Sequence, residues 1–114
     1  MSNAFNIYVE KAKKFLRVAE NPHTVAKEIK ELAKNYWPEA KVYIFGSIAR
    51  GKYTAGSDID ILIVVESCDM EEKYRFKTKI AMTTDLPIQL HIVTKKEFEK
   101  WYLRFIPLTE LIEI

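Results

Sequence analysis

The chain has 114 residues, of which 48% are hydrophobic and 30% are charged, a balance typical of one globular domain and not of a disordered segment. Eighteen Lys and Arg against sixteen Asp and Glu leave a net charge of +2, which argues against a protein that binds nucleic acid through bulk charge. The single cysteine excludes an intramolecular disulfide and a cysteine-based zinc site. With no apolar run near the roughly 20 residues of a membrane span and no signal-peptide core, we expect a single cytoplasmic domain over residues 1–114.

Two N-terminal helices are predicted over about residues 5–37. Apolar residues recur at helical spacing over residues 5–19 and again over residues 25–36. Between these stretches, Asn21 and Pro22 are typical of an N-cap residue followed by proline at the first helical position.

Three strands are predicted in the motif core, about residues 42–105. Lys41–Phe45 and Ile88–Val93 are rich in apolar and β-branched residues, and Pro87 introduces the second of them. Ile59–Val65 is almost continuously apolar, which predicts a central strand that is covered on both faces.

Two more helices are predicted from capping-box patterns, Asp69 with Glu72 and Thr94 with Glu97. The first covers about residues 70–82, although the alternating cations of 73–79 also fit a strand. We expect this cationic run to form a solvent-exposed face of the helix. A surface that binds an acceptor substrate is the less favoured alternative. The methionines at both ends of the first helix and the aromatic residues of the last helix are expected to lie in the core: Met70, Met82, Phe98, Trp101, Tyr102 and Phe105. The element order predicts a small α/β domain (α+β, with a mixed sheet).

All three glycines, Gly46, Gly51 and Gly56, fall in one short window. Glycine accepts positive φ angles and close approach by other atoms, so the window indicates one irregular site in an otherwise regular chain. The window joins a strand to a glycine–serine turn, a short helical turn and a loop. The next strand then opens with Asp58 and Asp60.

Asp58 and Asp60 are the candidate catalytic and metal-binding residues. Side chains on a strand repeat with period two, so both carboxylates are expected on one face. Two unpaired carboxylates at the entrance of an apolar strand repel each other and are costly to desolvate. A bound Mg²⁺ (or Mn²⁺) ion removes both costs, because Mg²⁺ prefers carboxylate, phosphate and water oxygens.

The residues around the glycine–serine turn are candidates for binding a nucleotide. Gly46 and Ser47 open a helical turn whose free backbone N–H groups favour an anion, and the Ser47 hydroxyl can add a hydrogen bond. Arg50 and Lys52 bring positive charge for a polyphosphate, and solvated loop charges remain the alternative for both. Gly51 and Ser57 complete the candidate nucleotide-binding set.

The spacing Gly46-Ser47, ten residues, then Asp58-x-Asp60 resembles the motif of the DNA polymerase β-like nucleotidyltransferase superfamily. The fuller string GSIARG…SDIDILI resembles its minimal nucleotidyltransferase (MNT) branch. The resemblance implies a mixed-sheet fold with packed helices, binding of Mg²⁺ and a nucleoside triphosphate (ATP is favoured), and transfer of a nucleoside monophosphate to an acceptor hydroxyl.

The chain departs from this family at the third acidic position. The matching strand places Gln89 where family members carry a third carboxylate, and His91 shares its face. Glutamine can ligate Mg²⁺ but brings no charge and cannot act as a general base. His91 could take the role of base, or it could simply pack at the sheet edge. The alternative to an enzyme is therefore a degenerate module that binds a nucleotide or a partner without catalysis.

The resemblance also implies partners. MNT chains pair with helical proteins of the HEPN type in toxin–antitoxin systems, where the MNT chain is the antitoxin. The apolar segment over residues 107–112 could serve such an interface or a homodimer. No membrane partner is expected, and nucleic acid is not indicated, because no helix–turn–helix spacing or basic stripe is present.

Overall fold

The structure is a computed structural model that describes residues 3–114. Helices α1 (Asn3–Glu20) and α2 (His23–Lys34) precede strand β1 (Lys41–Phe45) and the short helix α3 (Gly46–Arg50). Strand β2 (Ile59–Val65), helix α4 (Met70–Thr83) and strand β3 (Ile88–Thr94) follow. The chain continues through α5 (Lys95–Glu97), a π-helical turn (Phe98–Tyr102) and α6 (Leu103–Phe105), and then a 3₁₀ turn (Leu108–Glu110) and strand β4 (Ile112–Glu113).

The four strands form one mixed sheet in the order β3-β2-β1-β4. β1 pairs antiparallel with β2 and with β4, whereas β2 and β3 are parallel. The mixed sheet was predicted, and so was the burial of β2, whose residues are buried except for the half-buried Asp60. The two-residue strand β4 was not predicted.

The sheet has two unequal faces. The larger core lies between one face of the sheet and helices α1, α2 and α4, and it contains the alternate β2 residues Ile59, Ile61, Ile63 and Val65. The smaller core lies on the other face, where Leu62 packs with side chains from the π-helical turn. Because strand side chains alternate, Asp60 belongs to this second, thinly covered face.

Helix α4 begins as the sequence predicts. Asp69 Oδ1 accepts a hydrogen bond from the Glu72 N–H at 2.8 Å, and Glu72 Oε1 accepts one from the Asp69 N–H at 3.2 Å. This reciprocal capping box satisfies two N–H groups at the helix start. A strand over residues 73–79 is therefore the wrong alternative.

The predicted start of α2 is wrong in detail. The helix begins at His23, and no side chain caps it. The Asn21 N–H instead bonds to the Val18 carbonyl at 3.0 Å, at the end of α1. The Pro22 carbonyl accepts from the Ala26 N–H at 3.1 Å, so proline supplies the first turn from the N-cap position itself.

One prediction about the core is also wrong. We expect the terminal methionines of α4 and every aromatic residue of the last helix to be buried, and they are not all buried. Met82 is 83% exposed and Phe105 is 77% exposed, and Met70 and Trp101 are exposed as well. α4 buries only Phe76 and Ile80. In the last helical segment, the π-helical turn changes the helical period. Phe98 and Tyr102 contact the sheet as predicted, while the other two aromatic residues face outward.

Some of the C-terminal residues form contacts with the rest of the domain. Ile112 pairs with β1, and the Ile114 carbonyl accepts a hydrogen bond from Lys30 Nζ at 2.6 Å. Within residues 3–114, no helix is both long enough and apolar enough to cross a membrane.

Candidate functional site

The candidate site lies at one edge of the sheet, where β1 ends and both β2 and β3 begin. Because β1 is antiparallel to β2, and β2 is parallel to β3, these three ends meet at the same edge. The register places Asp60 between Phe45 of β1 and Gln89 of β3. The glycine–serine turn, the aspartates and Gln89 are thereby brought together.

Gly46 is fitted against Asp60. Its φ angle is +76°, in the left-handed region that favours glycine. A Cβ atom at this position would also overlap Asp60 Oδ2. Two independent constraints therefore require glycine here, and they bring the backbone of the turn into close contact with a carboxylate.

Ser47, Arg50 and Lys52 lie on or just after α3. The first N–H groups of a helix have no partner within it, and at α3 these belong to the glycine–serine turn, with no side chain capping them. Arg50 is close enough for its charge to lower the pKa of Asp60. Lys52 is exposed, and its N–H bonds to the Ser47 carbonyl at 3.0 Å. Gly51 ends α3 with φ +70°.

A tight turn precedes the first aspartate. The Ser57 N–H bonds to the Thr54 carbonyl at 3.0 Å, and the Ser57 hydroxyl accepts from the Thr54 N–H at 2.9 Å. One acceptor position of this hydroxyl is therefore used within the loop. Asp58 follows directly and is exposed.

Asp60 is the electrostatically perturbed member of the pair. Burial raises the pKa of its carboxyl above 3.8, and the charge of Asp58 raises it further, whereas His91 and Arg50 act in the opposite direction. A cation beside both carboxylates would offset the desolvation and the repulsion. Among residues 3–114, no group of three His, Cys, Asp or Glu side chains is placed to hold a metal. Two carboxylates completed by phosphate and water oxygens nonetheless suit Mg²⁺.

His91 lies behind Asp60. Its Nε2 is 3.8 Å from Asp60 Oδ1, too far for a hydrogen bond. Its Nδ1 is 3.4 Å from Tyr102 Oη, and its ring packs edge-on against Phe45 with centroids 5.1 Å apart. Burial lowers the pKa of the imidazole, Asp60 raises it, and the charge of Lys77 lowers it. Gln89, beside Asp60 in the register, is exposed.

Sequence reasoning missed three neighbours of this site: Phe45, Tyr102 and Lys77. Phe45 could have been found from the strand alternation, because it is the last β1 residue on the Asp60 face. No sequence signal places Tyr102 against His91, because that contact depends on the π-helical turn. Lys77 was seen only as one cation in a run.

Comparisons with known proteins agree with this fold. The sequence profile of the family described as "Nucleotidyltransferase domain" matches residues 26–114. A crystal structure of a candidate nucleotidyltransferase matches with TM-score 0.63 and 38% identity, covering 77% of this chain and 95% of that one. A second structure, from Sulfolobus solfataricus, covers 93% of this chain and 84% of its own, with TM-score 0.55 at 24% identity, and supports the fold alone.

One curated protein is similar over a shorter stretch. Poly(A) RNA polymerase protein 1 from Eremothecium gossypii is 38% identical over 47 residues. This stretch is 41% of the present chain and 8% of the length of that protein.

Proposed function

Because the chain belongs to the nucleotidyltransferase domain family, within the DNA polymerase β-like superfamily, we propose that it transfers a nucleoside monophosphate from a nucleoside triphosphate to an acceptor hydroxyl. The observation that carries this proposal is the fit of Gly46 against Asp60. It brings the glycine–serine turn and the acidic start of β2 into one location.

Asp58 and Asp60 are the proposed ligands of Mg²⁺ or Mn²⁺. The ion, when bound, supplies Lewis-acid stabilisation of the reacting phosphate and lowers the pKa of a bound oxygen nucleophile. The protein contributes the position of the two carboxylates, fixed by β2 and by the turn before it. The raised pKa of Asp60 means that the apo site holds unfavourable charge that a cation relieves.

The turn at Gly46 and Ser47 is the proposed site for the β- and γ-phosphates. Its backbone N–H groups and the Ser47 hydroxyl can donate hydrogen bonds to phosphate oxygens. Arg50, whose charge acts on Asp60, would stabilise the negative charge of the departing pyrophosphate. Lys52 adds charge at the exposed rim. Gly51 shapes the end of α3 and Ser57 shapes the loop.

The transfer balances as a displacement at phosphorus. The acceptor oxygen forms a bond to the α-phosphorus, and the bond from that phosphorus to the bridging oxygen of the β-phosphate breaks. Pyrophosphate leaves with the electron pair, and the hydroxyl proton passes to water. His91 lies behind Asp60 and is held by contacts with Tyr102 and Phe45, and we assign it no role as base.

A degenerate binding module is the second candidate function, and Gln89 favours it. The register places this neutral amide directly beside Asp60, at the position where the family resemblance implies a third carboxylate. Such a module would bind a nucleoside triphosphate and transfer its nucleoside monophosphate slowly or not at all. Binding of a nucleotide alone does not distinguish the enzyme from the binding module. A measurement of transfer after Gln89 is replaced by a carboxylate residue does distinguish them.

We further propose that ATP is the donor and that the chain belongs to the MNT branch. The similarity to a poly(A) RNA polymerase protein supports ATP, and the string GSIARG…SDIDILI supports the branch.

A HEPN-type helical protein or a second copy of the chain is the proposed partner. Leu108 and Phe105, 74% and 77% exposed, are available apolar contacts for either.

The proposed binding of metal and nucleotide is tested by calorimetry on the full chain with ATP, GTP, CTP and UTP, each with Mg²⁺ and with EDTA. We expect Mg²⁺-dependent binding that is lost in Asp58→Asn and kept in Asp69→Asn, a capping aspartate at the start of α4. Binding that is equal in Asp58→Asn and in the wild-type chain would overturn the assignment of the metal ligands.

A further inference from the structure

A cavity of about 540 Å³ opens beside the candidate site, between α4 and β3. Its walls include Asp58, Gln89 and the side chain of Lys77, with Ala81 and Pro87 along its length. We call it the α4–β3 cavity. It shares Asp58 with the proposed metal site and lies on the Gln89 side of it, so it is a continuation of the site.

With Asp58 engaged by the proposed metal, the unpaired charge that lines the α4–β3 cavity is that of Lys77. Asp85 also lines it, but Asp85 Oδ1 is bonded to Lys14 Nζ at 2.7 Å, which holds the pKa of that carboxyl below its usual value. Asp58 is assigned to the metal. Lys77 forms no ion pair with any residue in the part of the chain that the structure describes.

The position of Lys77 distinguishes it from the other cations of α4. Arg75 pairs with Glu71 four residues before it. Lys79 lies on a different surface, an open apolar patch with Tyr74 and Met82. Lys77 alone among the α4 cations lines the cavity that contains Asp58. The cationic run, expected to be a solvated face, therefore contributes one residue to the site.

The chemistry of phosphoryl transfer decides which substrate would enter this cavity. Attacking and leaving oxygens lie roughly in line on opposite sides of the phosphorus. The turn at Gly46, where the leaving pyrophosphate is proposed to bind, follows β1 on one side of Asp60. The α4–β3 cavity lies on the other side, beyond Gln89 of β3. The attacking acceptor would therefore approach from this cavity.

We propose that the α4–β3 cavity is the acceptor subsite, and that Lys77 binds an anionic group, phosphate or carboxylate, on the acceptor. The inference rests on the proposed nucleotidyl transfer and names the substrate class for it. It favours acidic acceptors and disfavours polyamine-like ones, since a second cation beside Lys77 would be repelled. Lys77 is a binding residue in this account, and the adjacent neutral Gln89 leaves its charge available.

The test uses the ¹⁵N-labelled full chain, with and without Mg²⁺ and the unreactive donor α,β-methylene-ATP. Sodium phosphate, sodium acetate and spermidine are titrated separately. We expect phosphate or acetate to shift the amide signals of Ala81, Thr84 and Gln89 saturably, with donor bound or absent. The relative affinities identify a phosphate or a carboxylate acceptor. Binding should weaken at least fivefold in Lys77→Met and stay unchanged in Lys79→Met.

Four results would overturn the inference, and they are distinguishable from one another. Equal anion affinity in Lys77→Met and the wild-type chain removes the anion site, and so does spermidine that binds more tightly than either anion when Mg²⁺ and the donor analogue are bound. Loss of the shifts at Gln89 when the donor analogue binds assigns the cavity to the donor. Failure of the wild-type chain to bind the analogue overturns the proposed function, and Lys77-dependent phosphate shifts would then show an anion site with no acceptor role.

Discussion

The two sides of Asp60 are built under very different constraints. On the β1 side, Gly46 is held at φ +76° with no room for a Cβ beside the carboxylate. On the β3 side, Gln89 is exposed and opens onto a cavity of about 540 Å³. One side is fixed by the backbone, and the other is defined by replaceable side chains.

This difference separates the parts of the site by role. The constrained side suits a substrate portion that every nucleoside triphosphate shares, the phosphates. The open side suits the portion that varies, the acceptor. A change on the first side should therefore abolish binding of any triphosphate, whereas a change on the second side should alter rate or selectivity.

The largest effect is expected from Gly46→Ala. The substitution brings a Cβ against Asp60 Oδ2 and forces alanine into a left-handed conformation that costs about 1–2 kcal/mol. We expect Mg²⁺-dependent ATP affinity, measured by calorimetry, to fall at least tenfold.

Gly51→Ala and Gly56→Ala are the matched controls for that change. Gly51 shares the positive φ but has open space around it, while Gly56 lies at an ordinary φ. Gly51→Ala should lose about 1–2 kcal/mol of stability and keep ATP binding, and Gly56→Ala should change neither. A loss of binding as large in Gly51→Ala as in Gly46→Ala would mean that strain matters and contact with Asp60 does not.

A smaller effect, of opposite sign, is expected from Gln89→Asp. A carboxylate beside Asp60 adds a hard-oxygen ligand for Mg²⁺ and a group that can accept a proton. We expect Mg²⁺ affinity to rise several-fold in Gln89→Asp. Gln89→Glu, with a longer carboxylate side chain, and Gln89→Ala, with no ligand, are the comparison variants. Transfer can be measured for the variant and the wild-type chain with the same acceptor, for example a HEPN-type partner. A large gain in the variant would indicate that the wild-type chain is a weakened enzyme. Higher Mg²⁺ affinity with no gain in transfer would favour the non-catalytic module.

The smallest expected effect is on the stability of the apo protein. The pKa of Asp60 is raised, chiefly by burial, so the folded chain binds that proton more tightly than the unfolded chain. The fold therefore gains stability as the pH falls from the raised pKa toward 3.8, and the carboxylate costs stability at neutral pH.

Thermal unfolding of Asp60→Asn without metal tests this contribution. The variant should melt at a higher temperature than the wild-type chain at pH 7, and the difference should shrink as the pH is lowered. An Asp60→Asn variant that is less stable at pH 7 would contradict the desolvation argument.

The main elements could be predicted from the sequence because their signals are local. The almost continuous apolar run indicates β2, and the capping box indicates the start of α4. The clustering of all glycines in one loop indicates that the rest of the chain is regular. The spacing of Gly46 and Ser47 from the aspartates is also local, which is why the family could be recognised.

The remaining features depend on contacts between distant segments. The strand β4 forms only because residues 112–113 meet β1. The outward orientation of Trp101 follows from a π-helical turn that the helical spacing did not indicate. The separation of Lys77 from Lys79 required knowing which side of α4 faces β3. Alternating charges on a helix do not by themselves show which cation lines a site.

The most direct test of the central claim is where a metal–nucleotide complex binds. Mn²⁺·ATP added to the ¹⁵N-labelled chain should broaden the amide signals of Gly46, Ser47 and residues 58–60 first, because paramagnetic broadening falls steeply with distance. Mg²⁺·ATP at the same concentration should shift those signals without broadening them. Broadening centred elsewhere, for example on the acidic start of α4 at Glu71 and Glu72, would contradict the assignment of the aspartates and the glycine–serine turn to one site.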